Sequence, residues 1–280
     1  MAGSYAAEIG RENPGCIIFL LDQSGSMVDP FAGEPAVAKM DAAADAINKL
    51  LMNLILRCTK NVGEGPRNYF DVGVIGYGAN AGPGPCLGGA LRGRSLVSVE
   101  DLAEHHLRVI ERSQSGSTVM FPVWFEPVAD NGTPMAEALE LATKVAAGWA
   151  NAHRRSYPPV VINITDGEPT GADPTGAARA LTMLSTDDGN VLLYNVHLSS
   201  LNTPAVLFPE GQAALPDDYA KMLFGMSSVL PVQIRQELAV EGYRVGPAAR
   251  GFIFNADPVA FIRFLDIGTR LVLEGSAAAR

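Results

Sequence analysis

The sequence predicts an α/β sandwich of three layers, with a mostly parallel central sheet, one antiparallel edge strand and helices on both faces. Wholly or mostly apolar runs of strand length recur at 16–21, 160–165, 191–198 and 251–255, and such runs belong to strands covered on both faces. Between them, apolar residues repeat every three or four positions, the period of a helix lying on a sheet. Strands and helices that alternate along a chain imply parallel strands joined by helical crossovers.

The first strand, Cys16-Ile17-Ile18-Phe19-Leu20-Leu21, is followed by Val37, Met40, Ala44, Ile47, Leu51, Leu54 and Ile55, which mark one long amphipathic helix over 35–57. Residues 70–77 alternate and are rich in Val and Ile. The turn-rich stretch 76–89 then closes a hairpin with 86–91, and this pair supplies the sheet edge. A short helix opens at Ser98 with Asp101 three residues on, and 112–132 reads as an irregular insert. Thr133-Pro134 opens a helix over 135–152, rich in Ala and Leu. A helix opened by Pro174 separates the strands at 160–165 and 191–198, and 199–221 reads as a polar connection. A helix over 229–241 precedes the strand at 251–255, and another over 257–270 follows it with Val259, Phe261, Ile262, Phe264, Leu265 and Ile267 as core contacts. No repeat or linker interrupts the series, so 1–280 is read as one Rossmann-like domain with its core over about 15–269.

Of the 280 residues, 48% are apolar, enough to bury a sizeable core. A net charge of −9 argues against nucleic acid or an anionic membrane as the main partner, since both select clustered Lys and Arg. Cys16, Cys58 and Cys86 are an odd count without Cys-x-x-Cys spacing and read as core thiols. Met1-Ala2-Gly3-Ser4-Tyr5 lacks the basic and apolar regions of a secretory signal, and no apolar run reaches membrane-spanning length, so a cytoplasmic protein is expected.

Asp22-Gln23-Ser24-Gly25-Ser26 sits where the first strand meets the turn, and puts one carboxylate and two hydroxyls there. Such hard oxygen donors suit Mg²⁺, which takes one or two carboxylates and keeps several waters. Read alone, the same residues serve equally as a turn in which Ser24 or Ser26 caps a helix. Asp166 ends the strand at 160–165 and shares the rim with Asp22, where ligands of open parallel sheets bind. Alone, Asp166-Gly167 is an ordinary turn. Thr133 follows Gly132, which permits close backbone approach, and with Pro134 would also make an ordinary helix start.

Taken in order, Asp22-Gln23-Ser24-Gly25-Ser26-Met27, Gly132-Thr133-Pro134-Met135 and Thr165-Asp166-Gly167-Glu168 resemble the motifs of the von Willebrand factor type A (vWA) family from about 15 to 269. The resemblance implies a metal-ion-dependent adhesion site (MIDAS) at Asp22, Ser24, Ser26, Thr133 and Asp166. It implies direct coordination by the serines, and by Thr133 or Asp166 directly or through water. The cation implied is Mg²⁺, with Mn²⁺ or Ca²⁺ as alternatives, and the partner implied is a protein whose Asp or Glu completes the metal shell. The first motif is similar to that of bacterial members. Without a signal, paired cysteines or a membrane segment, the chain looks closest to the intracellular branch of tellurium-resistance-associated proteins and metal-chelatase or ATPase-partner subunits. The second and third motifs favour the tellurium-resistance-like group. In some members the C-terminal helix, here 257–270, shifts on ligand binding.

A non-enzymatic, metal-dependent protein-binding module is therefore expected, with a metal-dependent phosphohydrolase or a regulatory subunit of an ATPase or chelatase complex as the alternative. His105, His106, His153 and His197 lack metal-ligand spacing, and no Gly-x-Ser-x-Gly, P-loop or dinucleotide-binding motif is present. The glycine-rich 76–82 reads as a hairpin loop and Ser115-Gly116-Ser117 as another loop. Asp29, Glu34 and Glu168 read as solvated rim residues.

Overall fold

A computed structural model describes residues 3–264 except 32, 33, 62, 79–81, 115, 116, 131, 201, 202 and 257–259. The chain runs β1 (Gly15–Asp22), β2 (Pro30–Phe31), β3 (Glu34–Ala38), α1 (Lys39–Cys58), β4 (Phe70–Tyr77), β5 (Gly84–Pro85), β6 (Val97–Ser98) and α2 (Val99–Glu104). It continues with β7 (Arg108–Gln114), β8 (Ser117–Val123), α3 (Met135–Ala152), β9 (Val160–Thr165), α4 (Thr175–Met183) and β10 (Leu192–His197). Then follow β11 (Val206–Leu207), α5 (Asp218–Met226), α6 (Val232–Val240) and β12 (Phe252–Phe254), with 260–264 helical.

Among the described residues, the main sheet is eight-stranded, in the order β11-β12-β10-β9-β1-β4-β5, with β6 also on β4. The inner strands β12, β10, β9, β1 and β4 are mutually parallel. Antiparallel pairing appears at the edges, where β5 and β6 meet β4 and β11 meets β12. This is the expected Rossmann-like α/β sandwich.

Strand geometry explains why β1 is apolar up to Asp22. Successive side chains point to opposite faces, and both faces are covered. Ile17, Phe19 and Leu21 pack in one core with Ile47, Leu50, Leu51 and Leu54 of α1. Cys16, Ile18 and Leu20 pack in the other with Ala138, Leu139, Ala142 and Ala146 of α3. Every residue of β1 is buried. Polar residues cross this interior in one chain of bonds. Tyr77 Oη donates to Asn163 Oδ1 at 2.6 Å, Asn163 Nδ2 to Asn195 Oδ1 at 2.9 Å, and Asn195 Nδ2 reaches Ser227 Oγ at 2.9 Å.

Several elements differ from the sequence reading. Residues 34–38 are a strand paired antiparallel to β2, so α1 begins at Lys39. The insert contains a hairpin, β7 with β8, paired from Arg108↔Val123 to Gln114↔Ser117 and lying outside the main sheet. The edge strand falls at 84–85, while 89–91 forms a helical turn. The polar connection at 199–221 contains β11 and the start of α5. Ser98 and Asp101 do form the reciprocal capping box at the head of α2. Residues 79–81 of the glycine-rich loop, 115 and 116 of the serine repeat, and 257–259 and 265–270 of the last helix lie outside the described residues, as does the side chain of Glu34. Within that last helix, Phe261 and Phe264 are buried and Ile262 packs partly against the same core. None of the described helices is long and apolar enough to cross a membrane.

Candidate metal centre

β1 lies between β4 and β9, and its crossover helix α1 covers one face while α3, which leads to β9, covers the other. The connections therefore diverge beyond the carboxyl ends of β1 and β9, the place where ligands of open parallel sheets bind. Asp22 closes β1, and the loop after β9 begins at Asp166.

Asp22 is fully buried, and both its oxygens are engaged. Oδ1 accepts the Ser24 backbone N–H at 2.8 Å, and Oδ2 accepts the Thr165 hydroxyl at 2.5 Å. Thr165 Oγ1 in turn accepts the Gly167 N–H at 3.0 Å, so this hydroxyl ties the two rim loops together. Burial raises the Asp22 carboxyl to about 6; the hydrogen bonds from Thr165 and Ser24 oppose that rise, and the nearby Asp166 charge adds to it.

The loop after β1 turns through a 3₁₀ segment, Gly25–Val28, with Ser24 at its N-cap position, but no side-chain cap bond forms. Instead Ser24 Oγ stands 3.1 Å from Ser26 Oγ. Ser24 is buried and Ser26 exposed, so the pair opens outward. Oxygens adjacent on an octahedral Mg²⁺, each about 2.0–2.1 Å from the ion, are about 2.9 Å apart. The hydroxyl pair fits that edge. Thr133 is likewise not spent on capping: Pro134 holds the N-cap position of α3, without a side-chain cap bond. Thr133 is buried, and its backbone is clamped to the Asp166 loop, with its N–H donating to Thr170 Oγ1 at 2.7 Å and its carbonyl accepting the Thr170 N–H at 2.9 Å. A Cβ on Gly132 would lie 2.6 Å from Thr170 Oγ1, so the close approach read from the sequence is present.

The structure thus links Asp22, Ser24, Ser26 and Asp166 in one hydrogen-bonded and electrostatic neighbourhood and fastens the Thr133 backbone beside it. Among the described residues, no group of three or more His, Cys, Asp or Glu is placed to hold a metal, so a cation here depends on hydroxyls and water as well as carboxylates. Asp29 and Glu168 are exposed, and Glu168 accepts a bond from Tyr219 at 3.0 Å. His197 lies beneath the Asp166 loop, where Nε2 donates to the Asp166 carbonyl at 2.8 Å, and burial lowers its pKa. That imidazole is a support for the loop.

Three contributors were not singled out in the sequence. Thr165 bridges the carboxylate to the second loop. Gly78, at φ +124°, packs so tightly that a Cβ would lie 2.6 Å from the Gln23 carbonyl carbon and Ser24 nitrogen. Lys39 is buried, with Nζ 3.3 Å from Asp166 Oδ2, 3.5 Å from the Ser26 carbonyl oxygen and 3.9 Å from the Asp29 carboxylate. A signal for Lys39 exists, since it interrupts the otherwise small and apolar Ala36-Val37-Ala38-Lys39-Met40.

No family model matches the chain, and no curated protein gives a significant match. Similar solved structures include manganese-loaded TRAP protein of Plasmodium vivax, 12% identical with a TM-score of 0.45, over 92% of this chain and 74% of that one. Proximal thread matrix protein 1 from the mussel byssus is 14% identical with a TM-score of 0.41, over 80% of this chain and 43% of its own. The ArnB paralog VWA2 from Sulfolobus acidocaldarius is 14% identical with a TM-score of 0.37, over 93% of this chain and 44% of its own. The chain spans less than half the length of the mussel and Sulfolobus proteins.

Proposed function

We propose that this chain is a vWA-type, non-enzymatic binding module that captures a protein partner through a divalent cation at the rim of its sheet. The observation that carries the reading is that the Ser24 and Ser26 hydroxyls, free of any capping role, face each other at 3.1 Å beside the buried Asp22. Asp22, Ser24, Ser26, Thr133 and Asp166 are the residues proposed to hold the cation, with Mg²⁺ first and Mn²⁺ or Ca²⁺ as alternatives. The cation supplies an open coordination position to which a partner's Asp or Glu binds. Only the formal charges of Asp22 and Asp166 come from the proposed ligands, so a bound dication retains attraction for an incoming carboxylate.

Support for a binding role over hydrolysis comes from His197, whose Nε2 is committed to the Asp166 carbonyl. Placement in the tellurium-resistance-like branch is the accompanying proposal, and it rests on the sequence motifs alone. Calorimetric titration of Mg²⁺ and Mn²⁺ into EDTA-stripped protein tests the centre. One-site binding in the wild type, lost in Asp22→Ala, is expected. Equal heats in both would remove the cation from Asp22 and defeat the proposal.

A further inference from the structure

Lysine is rarely buried without a partner, and Lys39, with 6% of its side chain exposed, places its ammonium against Asp166, one of the proposed ligands. Its contacts come from both rim loops. The Ser26 carbonyl and Asp29 belong to the loop after β1, and Asp166, whose side chain is 8% exposed, belongs to the loop after β9. The same ammonium therefore joins the two loops that must converge on a cation, and it does so by engaging an oxygen of one proposed ligand.

We infer that Lys39 is a tethered cation that competes with the divalent ion for Asp166 and holds the intrinsic metal affinity of the site down. This rests on the metal reading of the rim given above. With Lys39 in place, the two proposed carboxylate ligands and the ammonium sum to one negative charge, with the exposed Asp29 carboxylate 3.9 Å from that ammonium. A dication entering such a site either displaces the ammonium from Asp166 or tolerates it as a positive neighbour, and each alternative weakens binding. An incoming carboxylate relieves the excess positive charge, so metal and acidic ligand strengthen each other by the same factor. Lys39 thereby favours the metal in the company of a partner over the metal alone.

The test is calorimetric titration of Mg²⁺ into EDTA-stripped wild type, Lys39→Met and Lys39→Arg at fixed pH and salt. Met keeps the apolar length of the stem without the charge, and Arg keeps the charge. Lys39→Met is expected to bind Mg²⁺ about tenfold tighter or more, as removal of a unit charge within a few Å of a dication predicts, and Lys39→Arg to stay near wild type. Thermal melts supply a second readout. In EDTA, Lys39→Met should melt below wild type because Asp166 loses its counter-ion, and Mg²⁺ should raise its melting temperature more than it raises that of the wild type. Should Lys39→Met fold too poorly to titrate, Lys39→Gln takes its place with the same expectation. Wild-type binding with no tightening in either neutral variant overturns the Lys39 inference and leaves the metal site standing. Absence of Mg²⁺ and Mn²⁺ binding in the wild type and all variants overturns both.

Discussion

Replacing Asp22 by Asn removes a charge while keeping the shape of a side chain that is fully buried between Ser24 and Thr165. In the metal-free protein the carboxyl titrates near 6 instead of 3.8, with burial the largest cause. Folding therefore disfavours the ionised form. The stability this group contributes is present below pH 3.8 and is lost as pH rises through about 6. Above both values the penalty is constant, and the rise from 3.8 to about 6 corresponds to about 3 kcal/mol at about 1.4 kcal/mol per pH unit. It shrinks as pH falls below about 6 and is nearly gone by pH 4. Asn keeps the acceptor for the Ser24 N–H, and its amide can donate to Thr165 Oγ1. Urea denaturation in EDTA should thus find Asp22→Asn more stable than wild type by up to about 3 kcal/mol at pH 7.5, with the gap closing toward pH 4. Mg²⁺ should reverse the order at a thousandfold excess over Kd, where it adds about 4.1 kcal/mol to the wild type and nothing to the variant. If Asp22→Asn is no more stable than wild type in EDTA at pH 7.5, the assignment of Asp22 as a site where stability is sacrificed for charge is wrong.

Asn163→Ala takes from the buried Tyr77 hydroxyl its Asn163 acceptor and from Asn195 Oδ1 its donor, and should cost about 3 kcal/mol in urea denaturation. A loss below about 1 kcal/mol would mean that water replaces the amide. Gly78→Ala forces a Cβ at positive φ against the Gln23–Ser24 peptide, and should weaken Mg²⁺ binding by about tenfold or more although residue 78 carries no ligand. Unchanged affinity in calorimetry, with a folded far-UV spectrum, would show that the loop yields without disturbing its hydroxyls.

The parallel strands were legible because burial on both faces leaves an apolar signature, and Val160–Thr165 and Met135–Ala152 fall where the sequence places them. The β7–β8 hairpin was not. Its inward residues Ile110, Phe121 and Val123 alternate with Glu111, Met120 and Pro122, and a proline inside a run argues against a strand unless that strand lies at an edge. β8 is such a strand, paired with β7 alone. The start of α1 was misplaced because Val37 and Met40 keep helical spacing. In the structure, 34–38 pairs with β2 and the Lys39 N–H donates to the Asp29 carbonyl, so the helix begins a turn later. Periodicity could not report that pairing.

The candidate ligands and their setting were unequally readable for a physical reason. Asp22, Ser24 and Ser26 share one tight turn, so their proximity follows from chain geometry and survives almost any tertiary arrangement. Whether those oxygens serve a cap or a cation depends on groups that arrive from elsewhere. Thr165 fixes the carboxylate from β9, Gly78 presses the loop from β4, and Lys39 brings a positive charge from α1. A turn of this composition that was only a helix cap would give its hydroxyls to backbone N–H groups. Here they face each other, and a buried ammonium sits on the second carboxylate, so the rim is arranged around positive charge before any partner arrives. The sequence names the oxygens, while the fold decides how tightly they can hold an ion.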